Sequence, residues 1–223
     1  MAGSWRIAAA ALATGLVAVL CLAVTVPHGG PSAADLLDPA IRSATLPIAF
    51  SSDALNTLGQ LPIWAVLVLA QASMIVRRRP TRALEVVLVS AAAEVISAVV
   101  RLVVDRPRPE LAHATDLVIA AGFPSGHVAR AVVFAATTFV VIPWLQRHRW
   151  TWLVGGFALV MLMAAARISA SAHYSSDVLG GALLGAAVVA GWSLATRIRD
   201  PEAGAEQSIP AAPAGRSARR PPR

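Results

Sequence analysis

The sequence is poor in charged residues and in cysteine, and each shortage excludes a class of protein. Only 14% of the 223 residues are charged, whereas a soluble domain usually carries about 25%. The composition therefore favours a membrane protein over a soluble one. The single cysteine, Cys21, excludes both an internal disulfide and a cysteine cluster that would bind zinc.

Lysine is absent altogether, so all 19 basic residues are arginines and the formal net charge is +7. Many of these arginines flank apolar runs. Arginines in such places typically determine the orientation of the helices in the membrane and attract anionic lipids. Because no soluble basic domain carries the charge, we expect no binding of nucleic acid.

Six apolar runs approach the roughly 20 residues that a helix needs to cross a bilayer. They are Ile7–Val26, Thr57–Val76, Ala83–Val104, His127–Leu145, Trp150–Ala166 and Val178–Thr196. We therefore predict an all-α polytopic membrane protein with six transmembrane helices. The first run could be a cleaved signal peptide, but it is long for a signal core and no good cleavage site follows it. We expect it to be retained.

The chain divides into three predicted parts. Residues 1–56 hold the first transmembrane helix and an outer loop, with a short helix around Asp35–Arg42. Residues 57–196 form a helical core. Residues 197–223 are rich in proline, alanine, glycine and arginine, which predicts a basic, disordered tail.

The placement of arginines predicts the orientation. With six spans, Arg6, the cluster at 77–82, the pair Arg147 and Arg149, and the arginines of the tail share one side. The arginine-rich side of a membrane protein faces the cytoplasm. We therefore predict a multi-pass plasma-membrane protein with both termini in the cytoplasm.

Three polar segments, at 101–109, 123–127 and 167–177, would then meet at the opposite, extracytoplasmic face. Ionisable groups near a membrane interior are costly and are usually there for function. Arginine guanidinium groups suit phosphate oxygens, and Ser125 with Gly126 resembles a helix start that can cap the helix and bind an anion. Asp177 follows His173 by one helical turn, so its carboxylate can orient the imidazole for attack. This set suits phosphoryl transfer without a metal.

The same segments resemble the signature of the type 2 phosphatidic acid phosphatases (PAP2), also called lipid phosphate phosphatases. That signature reads Lys-x6-Arg-Pro, then Pro-Ser-Gly-His, then Ser-Arg-x5-His-x3-Asp. Here the motifs are Arg101-x6-Arg108-Pro109, Pro124-Ser125-Gly126-His127 and Ala166-Arg167-x5-His173-x3-Asp177. The resemblance covers roughly residues 57–196, which would be the catalytic core.

The resemblance implies a role for each matching residue. His173 would be the nucleophile, Asp177 its orienting partner, and His127 the acid that protonates the leaving group. The implied phosphate ligands are Arg101, Arg108, Ser125, Gly126 and Arg167. Neither a metal nor a cofactor is expected. Two positions depart from the signature: Arg101 replaces a lysine and keeps the charge on a larger group, and Ala166 replaces a serine and loses a possible hydrogen bond.

Other residues have simpler interpretations. Glu94 is expected to pair with an arginine such as Arg130 between helices, in a structural role. Gly181-x-x-x-Gly185 favours close helix packing and leaves a homodimer possible. Arg106 either pairs with Asp105 or supplies an extra cation for a diphosphate. Trp144, Trp150 and Trp152 lie where an interfacial aromatic belt is expected.

The predicted function is hydrolysis of a lipid phosphate in the bilayer through a phosphohistidine intermediate. The candidate substrates are phosphatidic acid, phosphatidylglycerol phosphate and polyprenyl diphosphate, with the last as the leading guess. Two alternatives stay open. A phosphotransferase would use the same site with an acceptor other than water, and a transporter would use the arginines to bind an anion.

Overall fold

The computed structural model describes residues 2–25, 31–49, 57, 60–109 and 121–199. Within these ranges the chain forms eight α-helices and one 3-10 turn, Ala33–Asp35. The helices are α1 (Ala2–Thr25), α2 (Asp38–Ala49), α3 (Leu61–Ile75), α4 (Pro80–Val104), α5 (Gly126–Val141), α6 (Pro143–Arg147), α7 (Arg149–Ser169) and α8 (Ser175–Arg199). The all-α prediction agrees with this architecture. The first three residues of the predicted tail belong to α8, and the rest of that tail lies outside the described residues.

Three of the described helices are long and apolar enough to cross a membrane, namely Pro80–Val104, Arg149–Ser169 and Ser175–Thr196. Two shorter apolar helices, Leu61–Ile75 and Gly126–Val141, accompany them. The chain is thus a helical, multi-pass membrane protein, and the number of six crossings stays a prediction.

The prediction of one continuous helix over His127–Leu145 is wrong. Helix α5 ends at Val141, and Ile142 has an extended backbone before α6 begins at Pro143. Proline has no N–H to donate and disfavours helical backbone in the residue before it. The helix is therefore broken at Ile142, the residue that precedes Pro143.

Helix α5 occupies the centre of the bundle. One apolar cluster joins it to α3 and α4 and includes Trp64, Val86 and Val133. A second cluster joins its other side to α7 and α8 through residues such as Val128 and Met163. This double packing fixes the N-terminus of α5 and hence the Pro124–His127 motif.

Two glycines let α8 touch α5 directly. A Cβ atom at Gly181 would overlap the carbonyl oxygen of Ser125, and one at Gly185 would lie 2.9 Å from the carbonyl oxygen of Ala129. The predicted close packing by this glycine pair therefore occurs within one chain. The homodimer stays a prediction that this motif does not support.

The remaining helices lie on the outside of this core. Helix α1 packs along α8, where a Cβ atom at Gly15 would lie 3.0 Å from that of Ala187. Helix α2 packs against α7. The short helix predicted around Asp35–Arg42 is present as the 3-10 turn followed by α2.

Candidate active site

The three polar segments meet at one end of the bundle, as the sequence predicts. The first follows α4, the second precedes α5, and the third joins α7 to α8. Two backbone hydrogen bonds tie them together: the N–H of Gly122 donates to the carbonyl of Arg106 at 2.7 Å, and that of Ser125 donates to the carbonyl of Asp177 at 2.9 Å. The junctions include a left-handed Asp105 and a cis Phe123–Pro124 peptide bond.

His173 is buried beside Asp177, but the two side chains are not hydrogen-bonded. The Nδ1 atom of His173 lies 3.7 Å from Oδ2 of Asp177, and within the described structure it has no hydrogen-bond partner. Oδ2 accepts the backbone N–H of Tyr174 at 2.9 Å. His173 and Asp177 therefore lie next to each other as predicted, but the carboxylate is just beyond hydrogen-bonding distance.

Burial lowers the pKa of His173 well below its usual value, and the positive charges of Arg167, Arg108 and Arg101 lower it further. The backbone of Gly122 opposes this shift only in part. The imidazole is consequently neutral near pH 7, which is the form that can act as a nucleophile.

Arg101 lies against the start of α5. Its Nε donates to the carbonyl of Pro124 at 3.3 Å, and its guanidinium group occupies the space that a side chain at position 126 would need. Glycine at 126 thus leaves room for Arg101 in this position. Arg101 and Arg108 are half-buried and Arg167 is buried, and all three lie close enough to His173 to affect its charge.

Ser125 occupies the N-cap position of α5, but the prediction that its side chain caps the helix is wrong. No capping hydrogen bond forms, and in the described part of the chain its buried Oγ has no partner. A buried hydroxyl without a partner costs about 1–3 kcal/mol. The hydroxyl and the first N–H groups of α5 can both serve a bound anion. His127 is buried within the first turn of the same helix.

Arg106 and Asp35 are the site residues whose place the sequence did not predict. Arg106 is fully buried; its Nη1 donates to Oδ1 of Asp177 at 2.5 Å and to Ser176 Oγ at 2.7 Å. Its Nη2 donates to Oδ2 of Asp35 at 2.7 Å, and its guanidinium lies 4.3 Å from the ring centre of Tyr174. Arg106 therefore pairs with these two carboxylates, so neither the pairing with Asp105 nor the role of an extra cation for a diphosphate is correct.

Glu94 and Arg130 form the predicted ion pair between α4 and α5. Nε and Nη2 of Arg130 donate to the two carboxylate oxygens at 2.5 and 2.8 Å. Arg130 lies one turn after His127, so this pair fixes the two helices to each other just below the site.

Over the ranges that the structure covers, no group of three or more histidine, cysteine, aspartate or glutamate side chains could hold a metal ion. Positive charge at the site comes instead from the arginines. Their guanidinium groups can neutralise phosphate oxygens without a metal.

Comparison with known proteins gives two matches. A sequence model of the PAP2 superfamily matches residues 82–200, a range that contains all three motifs. Among solved structures, the chain is similar to the crystal structure of the first transmembrane PAP2 type phosphatidylglycerolphosphate phosphatase from Bacillus subtilis. The TM-score is 0.69 and the identity 22%, over 86% of this chain and 96% of that one. This likeness supports the fold. No curated protein matches the sequence.

Proposed function

The chain belongs to the PAP2 superfamily, and from that premise we propose that it is a membrane lipid phosphate phosphatase working through a phosphohistidine on His173. The observation that carries the proposal is the polar cluster around that residue. Three arginines act on a neutral, buried imidazole, and the same end of the bundle holds the start of α5 and the Ser125 hydroxyl, which has no partner among the described residues. These groups fit a tetrahedral anion held for attack.

In the proposed first step, Nε2 of His173 attacks phosphorus, since Nδ1 is the nitrogen nearer Asp177. The N–P bond forms while the bond from phosphorus to the leaving oxygen breaks, and protonated His127 gives its proton to that oxygen. In the second step water attacks phosphorus and breaks the N–P bond, and His127 takes a proton from the water. Arg101, Arg108 and Arg167 stabilise the charge on the equatorial oxygens in both steps.

Asp177 orients His173 in this scheme. The 3.7 Å separation between its Oδ2 and Nδ1 needs to shorten by less than about 1 Å to form a hydrogen bond. Catalytic hydrogen bonds are often long in the absence of substrate and tighten as it binds. The carboxylate then stabilises the positive charge that the ring acquires on phosphorylation.

An apolar cavity below the site supports a lipid as substrate. It has a volume of about 800 Å³ and lies between α1, α4 and α8, with Leu16, Ile96 and Leu184 among its lining residues. Ile96 precedes Arg101 by five residues, which is about 7.5 Å along a helix. A hydrocarbon chain in this cavity can therefore belong to a lipid whose phosphate reaches His173.

We propose a lipid monophosphate rather than a diphosphate. The argument for polyprenyl diphosphate was an additional cation at Arg106, and two protein carboxylates bind that guanidinium. The similar Bacillus subtilis structure is named for phosphatidylglycerolphosphate. Phosphatidylglycerol phosphate and phosphatidic acid are therefore the first substrates to test here, with the diphosphate as a comparison.

The proposed location is the plasma membrane, with both termini in the cytoplasm and the site on the extracytoplasmic face. This orientation rests on the arginine asymmetry of the sequence.

The test measures phosphate release by the purified protein from long-chain lipid phosphates and from short, water-soluble phosphate monoesters in the same detergent. We expect a higher kcat/KM for the lipids and almost complete loss of turnover in His173→Ala. Ala92→Trp, which narrows the cavity, should lower kcat/KM for long-chain substrates only. Val95→Trp is the matched control, since Val95 is 62% exposed on the same helix and does not line the cavity.

Equal turnover of soluble esters would refute the lipid assignment, and an active His173→Ala would refute the mechanism. Mass analysis of the organic product distinguishes hydrolysis from transfer of phosphate to another acceptor.

A further inference from the structure

Asp35 precedes the family match at residues 82–200 by more than one helix, yet it is buried at the site. Its side chain and that of Arg106 are both fully inaccessible to solvent. A buried carboxylate needs hydrogen bonds or an opposite charge. The contacts that Asp35 makes therefore indicate what it does.

Each oxygen of Asp35 has defined partners. Oδ1 accepts the backbone N–H of Ser176 at 2.9 Å and the hydroxyl of Ser175 at 3.2 Å. Oδ2 accepts Nη2 of Arg106 at 2.7 Å and both the N–H and the hydroxyl of Ser32 at 2.7 and 2.6 Å. Burial acts to raise the pKa of Asp35, but the hydrogen bonds from Ser32 and Ser176 outweigh it and hold the pKa below its usual value. Asp35 is therefore ionised.

The other side of the Arg106 guanidinium determines how Asp177 is presented. Nη1 donates to Oδ1 of Asp177 at 2.5 Å, which leaves Oδ2 as the oxygen facing His173. The two oxygens of Asp177 thus serve different partners. Arg106 is held in this position by Asp35 through its other nitrogen, together with the hydroxyl of Ser176.

From this geometry we propose that Asp35 is a positioning residue that acts on His173 through Arg106 and Asp177. Without the Asp35 charge, the guanidinium can turn to bind both oxygens of Asp177, the arrangement that arginine and carboxylate favour. Oδ2 would then no longer face Nδ1 of His173. Asp35, Arg106 and Asp177 together carry a net charge of −1, which becomes zero when Asp35 is neutralised. The imidazole ring of His173 would then also lose stabilisation of the positive charge that it gains on phosphorylation. The inference rests on the proposed function.

The first test compares Asp35→Asn with Asp38→Asn in the purified full-length protein. Asp38 is also buried and accepts the N–H of Ser175 at 3.2 and 3.3 Å, but the described structure gives it no hydrogen bond from Arg106. We expect Asp35→Asn to lower kcat about 10–100-fold, the effect that loss of an outer hydrogen-bond partner has on metal-binding histidines and carboxylates. KM should change little, because the phosphate-binding arginines are untouched. Asp38→Asn should keep most of the activity.

A double-mutant cycle separates positioning from general damage. If Asp35 acts through Asp177, then Asp35→Asn should cause no further loss of kcat when added to Asp177→Asn. An equal loss in both backgrounds would show independent action and overturn the proposal. If Asp35→Asn does not fold, Asp35→Glu replaces it in the same cycle, since it keeps the charge and moves it by one methylene.

A second measurement does not depend on turnover. In NMR spectra of histidine-labelled protein, assigned with His173→Ala, Asp35→Asn should shift the His173 ring signals and Asp38→Asn should not. Unchanged His173 signals in Asp35→Asn would overturn the positioning role, whether or not the protein is a phosphatase. Failure of the wild-type protein to hydrolyse any lipid phosphate would instead overturn the proposed function.

Discussion

Adding one methyl group at Gly181 should disable the site without unfolding the protein. A Cβ atom there would lie 3.1 Å from the carbonyl carbon of Ser125 and 3.3 Å from its Cβ, and nearer still to its carbonyl oxygen. Carbon atoms pack at about 3.5–4.0 Å, so Ser125 must move by roughly 0.5–1 Å. The obstacle is backbone, which cannot rotate away as a side chain could.

The expected size of the effect follows from that displacement. A 1 Å misplacement of reacting groups costs about 100-fold in rate, or roughly 2.7 kcal/mol in the barrier. Overpacking of this kind costs about 1–3 kcal/mol in stability. We therefore expect Gly181→Ala to purify as a folded protein whose kcat/KM for a lipid phosphate is about 100-fold lower.

Gly155→Ala is the matched control, since a Cβ atom at Gly155 meets nothing within 4 Å. It should keep full activity, and it should stabilise α7 by up to about 1 kcal/mol because alanine favours a helix more than glycine does. Both variants are compared by phosphate release in detergent and by thermal unfolding. A Gly181→Ala protein with more than a third of the wild-type kcat/KM would show that the contact does not set the site geometry.

Three further predictions concern metal, pH and topology. Phosphate release should persist in excess EDTA and be inhibited by vanadate, since arginines supply the positive charge; loss in EDTA that magnesium restores would contradict this. The NMR signals of His173 should titrate below pH 6.5, because burial and neighbouring arginines lower its pKa. In the unfolded chain His173 takes up a proton near pH 6.5, and in the folded chain it does not. The free energy of unfolding should therefore fall as the pH drops below 6.5. Titration of the His173 signals at or above pH 6.5 would refute the lowered pKa. Leu36 is exposed between the 3-10 turn and α2, and Gln146 is exposed in α6. In a Cys21→Ser background, an impermeant thiol reagent should label Leu36→Cys in intact cells and Gln146→Cys only after lysis, and the reverse would overturn the orientation.

The sequence was sufficient to predict how the motif residues come together. The segments at 101–109, 123–127 and 167–177 each adjoin an apolar run, and the predicted alternation of six crossings would bring those three ends to one face. The pairing of Glu94 with Arg130 was also predictable, because an unpaired charge is rare within a membrane helix. Both results depend on helix periodicity and on the cost of burying charge.

The contacts of Arg106 could not be predicted in the same way. Its partner Asp35 is 71 residues away, in the 3-10 turn between α1 and α2, and helix periodicity does not determine where such a connecting segment folds back. One signal was present, since Ser32 and Asp35 have the spacing of a helix-capping pair, which indicates an ordered turn. The helix break before α6 was predictable from Pro143, which lacks a backbone N–H. A search based on hydropathy alone misses it, because hydropathy does not depend on backbone hydrogen bonding. The failed cap at Ser125 depends on a side-chain rotamer, which the sequence does not determine.

The shortness of α5 has a consequence for the membrane around the protein. Its 16 residues span about 24 Å, roughly 6 Å less than the hydrocarbon core of a typical bilayer. The exposed Trp144 and Trp150 follow its C-terminal end and suit the interface there, so we expect its other end, with His127, to lie beneath the opposite membrane surface rather than level with it. Hydrophobic mismatch of this kind thins the surrounding lipid. We therefore expect the thickness of the host bilayer to set how far a lipid head group descends to reach the site, and we expect faster turnover in membranes of short-chain lipids than in thick ones.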